Sequence, residues 1–270
     1  SFPLRVRSLV GLSPIFAVTV IQKEVFDQLP DFSKRMKWFQ NYRKRMNLYL
    51  PLEESENLKC NLFSLVDKER LKYLLEKLLD ESEFLSEGGI RALSKFYQNN
   101  PYSLEFAGTQ YSIGYDPGDS TSGMFGGNSN WRGPVWMPVN YLFINAFKTF
   151  GYFYEDSLKV ECPVRSGNYL SLTEVSKEIT SRLLHIFEKN EKNERLCNGK
   201  YNWFYSKQEN KDLVLFNEYF HGDTLRGLGA SHQTGWTALI ANLIMERKEE
   251  TEEAEKEDSD TKNQKVVSAV

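Results

Sequence analysis

The sequence predicts a mainly α-helical domain. Apolar residues recur at three- and four-residue intervals along most of the chain, the spacing that gathers side chains on one helix face. Segments able to form strands are short. No strand–helix alternation of the dinucleotide-binding kind appears, and there is no G-x-G-x-x-G or G-K-[ST] loop. With 270 residues, 40% of them apolar and 14% aromatic, the chain can bury a sizeable core without metals or disulfides.

The elements follow in order. Ile15–Gln28 carries apolar residues at 15, 18, 21, 25 and 29 and stops at Pro30, which predicts a helix with one buried stripe. Asp31–Met46 is a second amphipathic helix, whose Arg43, Lys44 and Arg45 read as a solvated face. Asp67–Leu79 has the strongest stripe, with Leu71, Leu74, Leu75, Leu78 and Leu79. After Ser86-Glu87-Gly88-Gly89 a short helix is expected over Ile90–Tyr97. Pro134–Phe150 is apolar on several sides, which suits an inner-layer helix, and Pro134 stands at a favoured helix start. Ser171 and Glu174 have the spacing of a capping box ahead of Val175–Phe187. Thr234–Arg247 closes the folded part. Leu104–Phe106, Tyr111–Tyr115, Trp203–Tyr205 and Leu213–Phe216 are the strand candidates, read as small hairpins.

The two ends differ. Phe2, Leu4 and Val6 alternate with Pro3, Arg5 and Arg7, core-like sequence without a lead-in, so a fragment of a larger protein is expected. Residues 248–270 are expected to be a disordered tail or a solvated helix extension, leaving 1–247 as the folded unit. Residues 246–270 carry nine acidic and five basic side chains, against 28 and 29 in the rest. That near-balance leaves no broad basic field to attract nucleic acid. The longest apolar run, Leu9–Ile21, is too short to span a bilayer and lacks a signal-peptide cleavage site. Three cysteines in no paired spacing disfavour a disulfide scaffold and a structural zinc site. The absence of Asn-x-Ser/Thr acceptors points to a cytoplasmic setting.

Chemistry concentrates in two loops. Residues 116–133 combine flexible glycines with Asp116, Asp119, Asn130, Trp131 and Arg132, and lead into Pro134 and Trp136. Indole faces beside Arg and Asn suit a sugar, which offers C–H patches to a ring and hydroxyls at its rim. Core tryptophans anchoring a surface loop would look the same. Residues 217–236 hold Glu218, His221, Asp223, His232 and Trp236 among frequent glycines. The two histidines stand 11 apart without an H-E-x-x-H pattern, so no metal site is expected. No G-x-S-x-G elbow accompanies them either.

Trp131-Arg132-Gly133-Pro134-Val135-Trp136, Asn140-Tyr141-Leu142, Glu218-Tyr219-Phe220-His221-Gly222-Asp223 and Gly229–Thr237 closely resemble glycoside hydrolase family 63. The opening Arg7–Leu12 and the stretch 123–136 are most similar to its mannosyl-oligosaccharide glucosidase-like branch. The resemblance covers about residues 2–245. It implies an all-α (α/α)6 toroid, a six-hairpin glycosidase fold, incomplete here because only about seven helices are read. It also implies inverting hydrolysis of an alpha-glucosidic linkage in an oligosaccharide. Inversion takes one carboxylic acid and one carboxylate about 6.5–9.5 Å apart. By resemblance Glu218 matches the general base. The family's general acid lies in an upstream Asp-Gly block with no counterpart here, since Asp116, Asp119 and Asp223 belong to other blocks. Trp131, Trp136 and Trp236 would wall the pocket, while Arg132, His221, Asp223 and His232 would bind hydroxyls or orient Glu218. No cofactor is required. Calcium occurs in some members, but no EF-hand-type loop is present. The fragment by itself is expected to be inactive and to self-associate through a truncated edge. A carbohydrate-binding remnant and a structural helical domain are the alternatives.

Overall fold

The computed structural model describes residues 4–48 and 52–267. One helical turn, α1 (Leu9–Leu12), precedes strand β1 (Val18–Gln22), and helices α2 (Lys23–Gln28) and α3 (Pro30–Arg45) follow. Strands β2 (Leu52–Ser55) and β3 (Cys60–Ser64) come back to β1 as an antiparallel sheet ordered β1-β3-β2, with Val20 opposite Leu62 and Glu54 opposite Asn61. Next come α4 (Lys68–Leu78) and two hairpins, β4 (Leu85–Ser86) with β5 (Gly89–Ile90) and β6 (Tyr102–Phe106) with β7 (Thr109–Ile113). Helix α5 (Met137–Tyr154), the hairpin β8 (Lys159–Glu161) and β9 (Tyr169–Ser171), and helix α6 (Leu172–His185) form the middle of the chain. The last part holds α7 (Asn202–Tyr205), β10 (Tyr219–Phe220) paired with β11 (Gly227–Leu228), α8 (Thr234–Thr237) and α9 (Leu239–Val267).

The all-α expectation needs correcting: about 44% of the chain is helix and 19% is strand, in small antiparallel sheets. The main departure is at 15–28. Val18, Thr19, Val20 and Ile21 are four successive β-branched residues, stiff at χ1 and suited to a pleated surface, and they form β1. Their partner β3 buries Cys60, Leu62 and Ser64, so tertiary pairing outweighs the helical spacing. Residues 90–97 are not an α-helix either. Ile90 ends β5, the Ala92 amide donates to the Pro134 carbonyl at 2.9 Å, and a 3-10 turn covers Lys95–Gln98. Of the strand candidates, 104–106 and 111–115 supply the β6–β7 hairpin. Trp203–Tyr205 lies in α7 instead, and Phe216 makes one isolated bridge to His232. At the C-terminal end α9 runs to Val267, well past Arg247, with Thr251, Glu252 and Lys256 exposed. The expectation for residues 268–270 lies outside the described residues. Among the described residues no helix is long and apolar enough to cross a membrane.

Helix α5 lies against α6, and both belong to the main core. Phe143, Phe147 and Phe150 of α5 and Val175, Ile179 and Leu183 of α6 are fully buried. The capping box forms: the Glu174 amide donates to Ser171 Oγ, and the Ser171 amide donates to Glu174 Oε2 at 2.7 Å. Ser171→Ala is expected to cost about 1 kcal/mol, read as a lowered urea midpoint at unchanged slope. A second polar clamp sits at the C-terminal side of α4. Arg165 donates to both oxygens of Asp80, at 2.8 and 2.6 Å, and Ser82 adds an amide and a hydroxyl donor. Burial raises the Asp80 pKa, but these donors outweigh it and bring the carboxyl down to about 2. Because the folded pKa is depressed, the stabilisation is present above about pH 4 and lost as pH falls through 2. Asp80→Asn is expected to flatten the acid limb of the stability–pH curve between those values.

Candidate active site

Backbone pairing brings the two chemically rich loops together. Val135 and Phe220 exchange reciprocal N–H···O bonds of 2.8 and 2.9 Å, and the Gly222 amide donates to the Pro117 carbonyl at 2.9 Å. Gly222 permits this approach, since a Cβ there would stand 2.5 Å from the Gly133 carbonyl oxygen and 2.7 Å from Tyr115 Oη. On the helix side, Asn140 of α5 binds the backbone of Ile90 in both directions: its Oδ1 accepts from the Ile90 amide at 2.7 Å, and its Nδ2 donates to the carbonyl at 3.0 Å. The first turn of α5, the β4–β5 hairpin and both loops therefore share one frame.

On this frame stands an aromatic stack. Trp131 and Trp136 lie parallel, centroids 4.0 Å apart and planes 3° off. Tyr219 stacks on Trp136 at 4.7 Å, and Trp236 meets its edge at 5.6 Å and 85°. Trp136 is only 1% exposed and donates its indole N–H to the Asn130 carbonyl at 3.0 Å. It thus backs the wall, while Trp131 and Trp236 remain partly open.

Two ion-pair clusters fix the loops. Arg132, 6% exposed, donates to Asp116 Oδ2 at 2.7 Å, Thr121 at 3.1 Å, Ser122 at 3.0 Å and Asn130 Oδ1 at 3.3 Å. Its donors are committed to folding loop 116–133. Asp223 Oδ1 accepts from Tyr115 Oη at 3.0 Å, Lys95 Nζ at 3.1 Å and Arg91 at 3.3 Å. Burial raises the Asp223 pKa, but the Lys95 hydrogen bond and the Arg91 charge outweigh it, so the carboxyl ends below its usual range. Burial also pushes the Tyr115 hydroxyl up, helped by the Asp223 charge, which keeps it a donor. His221 Nδ1 accepts from the Asp223 and Thr224 amides at 3.1 and 3.2 Å, so this nitrogen carries no proton. Burial lowers the His221 pKa, and the Asp223 charge only partly opposes it.

Both depressed groups give stability that is present above their unfolded pKa values and lost as pH falls through the folded ones. The loss due to His221 is expected below about pH 6.5 and that due to Asp223 below about pH 3.9. Urea midpoints taken between pH 7 and 3 should show two steps, the lower one shared with Asp80, and His221→Gln should remove the upper one. An upper step unchanged in that variant would assign it elsewhere.

Glu218 precedes β10. Its amide donates to the Ala230 carbonyl at 2.8 Å, and the Ala230 amide donates to Glu218 Oε2 at 3.1 Å. Gly229, at φ +67°, makes this possible: a Cβ there would lie 2.6 Å from Glu218 Oε2 and 2.8 Å from the Tyr219 ring. The carboxylate is half-buried and anchored through one oxygen, beside the residue that stacks on Trp136. A carboxylate so held can accept a proton from a bound water.

The profile of the Mannosylglycerate hydrolase MGH1-like glycoside hydrolase domain matches residues 19–237. The chain belongs to this glycoside hydrolase family. It is 46% identical over 246 residues to the uncharacterized protein YMR196W of Saccharomyces cerevisiae, covering 89% of this chain and 22% of that protein. It is 25% identical over 182 residues to a probable mannosyl-oligosaccharide glucosidase of Schizosaccharomyces pombe, covering 67% and 16% of the two chains. It is also 26% identical over 122 residues to the mannosyl-oligosaccharide glucosidase of Saccharomyces cerevisiae, covering 44% and 11%. The chain thus spans about a fifth or less of each relative's length. These similarities agree with the family 63 resemblance carried by the two loops.

Within this glycoside hydrolase domain, Trp131 and Trp236 both meet Trp136, Arg132 pairs with Asp116, and Glu218, His221 and Asp223 follow one another on the loop that pairs with Val135. His232 is exposed, and its backbone bridges Phe216. Sequence reading missed Arg91, Lys95 and Tyr115, which surround Asp223. Arg91 and Lys95 fall in a stretch whose spacing predicts a helix that does not form, and their approach to Asp223, more than 120 residues away, leaves no local signal. Tyr219, adjacent to Glu218, was legible as part of the family block but not as a stacking partner of Trp136. Among the described residues no group of three or more His, Cys, Asp or Glu gathers as a metal site.

Proposed function

We propose that this domain contributes to inverting hydrolysis of an alpha-glucosidic linkage in an oligosaccharide, with Glu218 as general base. The observation that carries the reading is the placement of Glu218: one oxygen tied to the Ala230 amide, beside Tyr219, whose ring stacks on Trp136 in an aromatic wall suited to a pyranose face. Trp131 and Trp236 present that wall, and Asp223 with His221 holds the loop that carries Glu218. Asp223 does not suit the role of general acid, because its lowered pKa keeps it ionised near neutrality. Asp116 is committed to Arg132 and Asp119 to Arg226 at 3.3 Å. The acid is proposed to come from the upstream part of an (α/α)6 toroid to which residues 1–247 contribute the C-terminal portion.

Glucose release from alpha-glucosides by the intact protein, with the anomer followed by NMR, tests this. An inverting enzyme yields the beta anomer first. Initial release of alpha-glucose would overturn inversion, and no release from any alpha-glucoside would overturn the glucosidase reading. A second reading, carbohydrate binding without turnover, is favoured by the pairing of Asp116, Asp119 and Asp223 with cations. Saturable maltose binding with no hydrolysis would support it.

A further inference from the structure

Strands β2 and β3 and the helices α2 and α3 line an open cavity of about 300 Å³ that shares no residue with the Glu218 cluster. Its floor is Asn61, in the central strand. Asn is a poor strand former, and here it alternates with buried Cys60 and Leu62. Asn61 is 8% exposed, and among the described residues nothing donates to its buried Oδ1. A buried acceptor without a donor is unfavourable, so a partner in the cavity would relieve it. Glu54 stands directly across the strand pair from Asn61, and Asp27 of α2 adds a second carboxylate. Phe63, two residues beyond Asn61 on the same face, stacks with Phe26 at 6.3 Å and 26°. Met36 of α3 also lines the cavity.

We propose that this cavity is a second saccharide-binding site, for a pyranoside. The lining offers Asn61, Glu54 and Asp27 as acceptors and Lys37, Ser33 and Gln40 as further polar groups, beside two aromatic rings. A neutral ligand with several hydroxyl donors and a C–H face matches both halves of that surface. Asn61 Oδ1 and the carboxylates of Glu54 and Asp27 accept from hydroxyls, and the Phe63–Phe26 pair receives the ring face. Lys23 at the rim is paired with Glu56 at 2.7 Å. The assignment goes beyond the Glu218 reading and does not depend on it.

Methionine ε-methyl NMR separates the two sites in one sample, because Met36 lines this cavity and Met124 lies in loop 116–133. Maltose titrated into the intact protein should shift the Met36 methyl saturably, in wild type and in Glu218→Gln alike. Asn61→Leu should weaken that response at least tenfold. Gln40→Trp, which fills the cavity from α3, should abolish it and serves if Asn61→Leu fails to fold by circular dichroism. A Met36 peak that stays fixed up to about 50 mM maltose would overturn the proposal, and so would one that moves equally in Gln40→Trp. A response to butylammonium but not maltose would also overturn it, assigning the acceptors to a cation. Movement of Met124 without Met36 would leave the Glu218 reading standing and sink this one.

Discussion

Glu218→Gln is expected to lower alpha-glucoside hydrolysis by the intact protein about 10²–10⁴-fold, the usual contribution of a positioned general base. Glutamine keeps the shape and one acceptor oxygen, so the Ala230 amide retains its partner and the contact with Gly229 is unchanged. The urea midpoint should therefore stay close to wild type while turnover collapses. If an external nucleophile such as azide substitutes for the activated water, it should restore part of the rate without restoring the pH profile. Wild-type turnover in this variant would show that another carboxylate activates water. Gly229→Ala provides a harsher comparison. It adds a methyl group into Glu218 at a backbone conformation that side chains rarely adopt, so activity and stability should fall together.

Trp136→Ala is expected to produce the largest loss of stability, about 3–5 kcal/mol, the range for truncating a buried aromatic. The indole is enclosed by Trp131, Tyr219 and Trp236, and its removal also strips the Asn130 carbonyl of its donor. For a domain of this size that corresponds to a fall in Tm of roughly 6–20 °C. Trp131→Ala should behave differently. That ring is partly open, so its removal should cost less stability and more maltose affinity. Equal stability losses for the two variants would show that the stack is structural throughout and presents no binding face.

Helices were legible wherever a local device accompanied the stripe. Asp67 caps α4, Ser171 and Glu174 box α6, and Pro30 opens α3. Strand β1 was not legible, because its apolar residues fit a helical period as well as a pleat, and the deciding partner β3 lies some 40 residues away. The site divides in the same manner. Trp131, Glu218 and Asp223 stand out in glycine-rich loops, but the division of labour among them depends on distant groups. Arg132 looked like a hydroxyl binder until Asp116, Thr121 and Ser122 claimed its donors. Asp223 looked like an orienting carboxylate, and its depressed pKa comes from Lys95 and Arg91, in a segment whose path the periodicity misread.

The reciprocal bond between Val135 and Phe220 has a consequence for measurement. Both residues are 0% exposed, and each amide is closed by the other's carbonyl. Neither proton can exchange with deuterium unless the two loops separate, which also takes apart the Trp136 stack. These amides should therefore exchange among the slowest in the chain, at a rate set by global unfolding. The Gly127 amide, whose acceptor is the nearby Ser129 carbonyl in an exposed turn, should exchange by local opening. A ligand at the Glu218 cluster should slow Gly127 by ordering its loop, and slow Val135 and Phe220 only by the added global stability. The ratio of these rates gives a label-free measure of binding at the loop, independent of turnover.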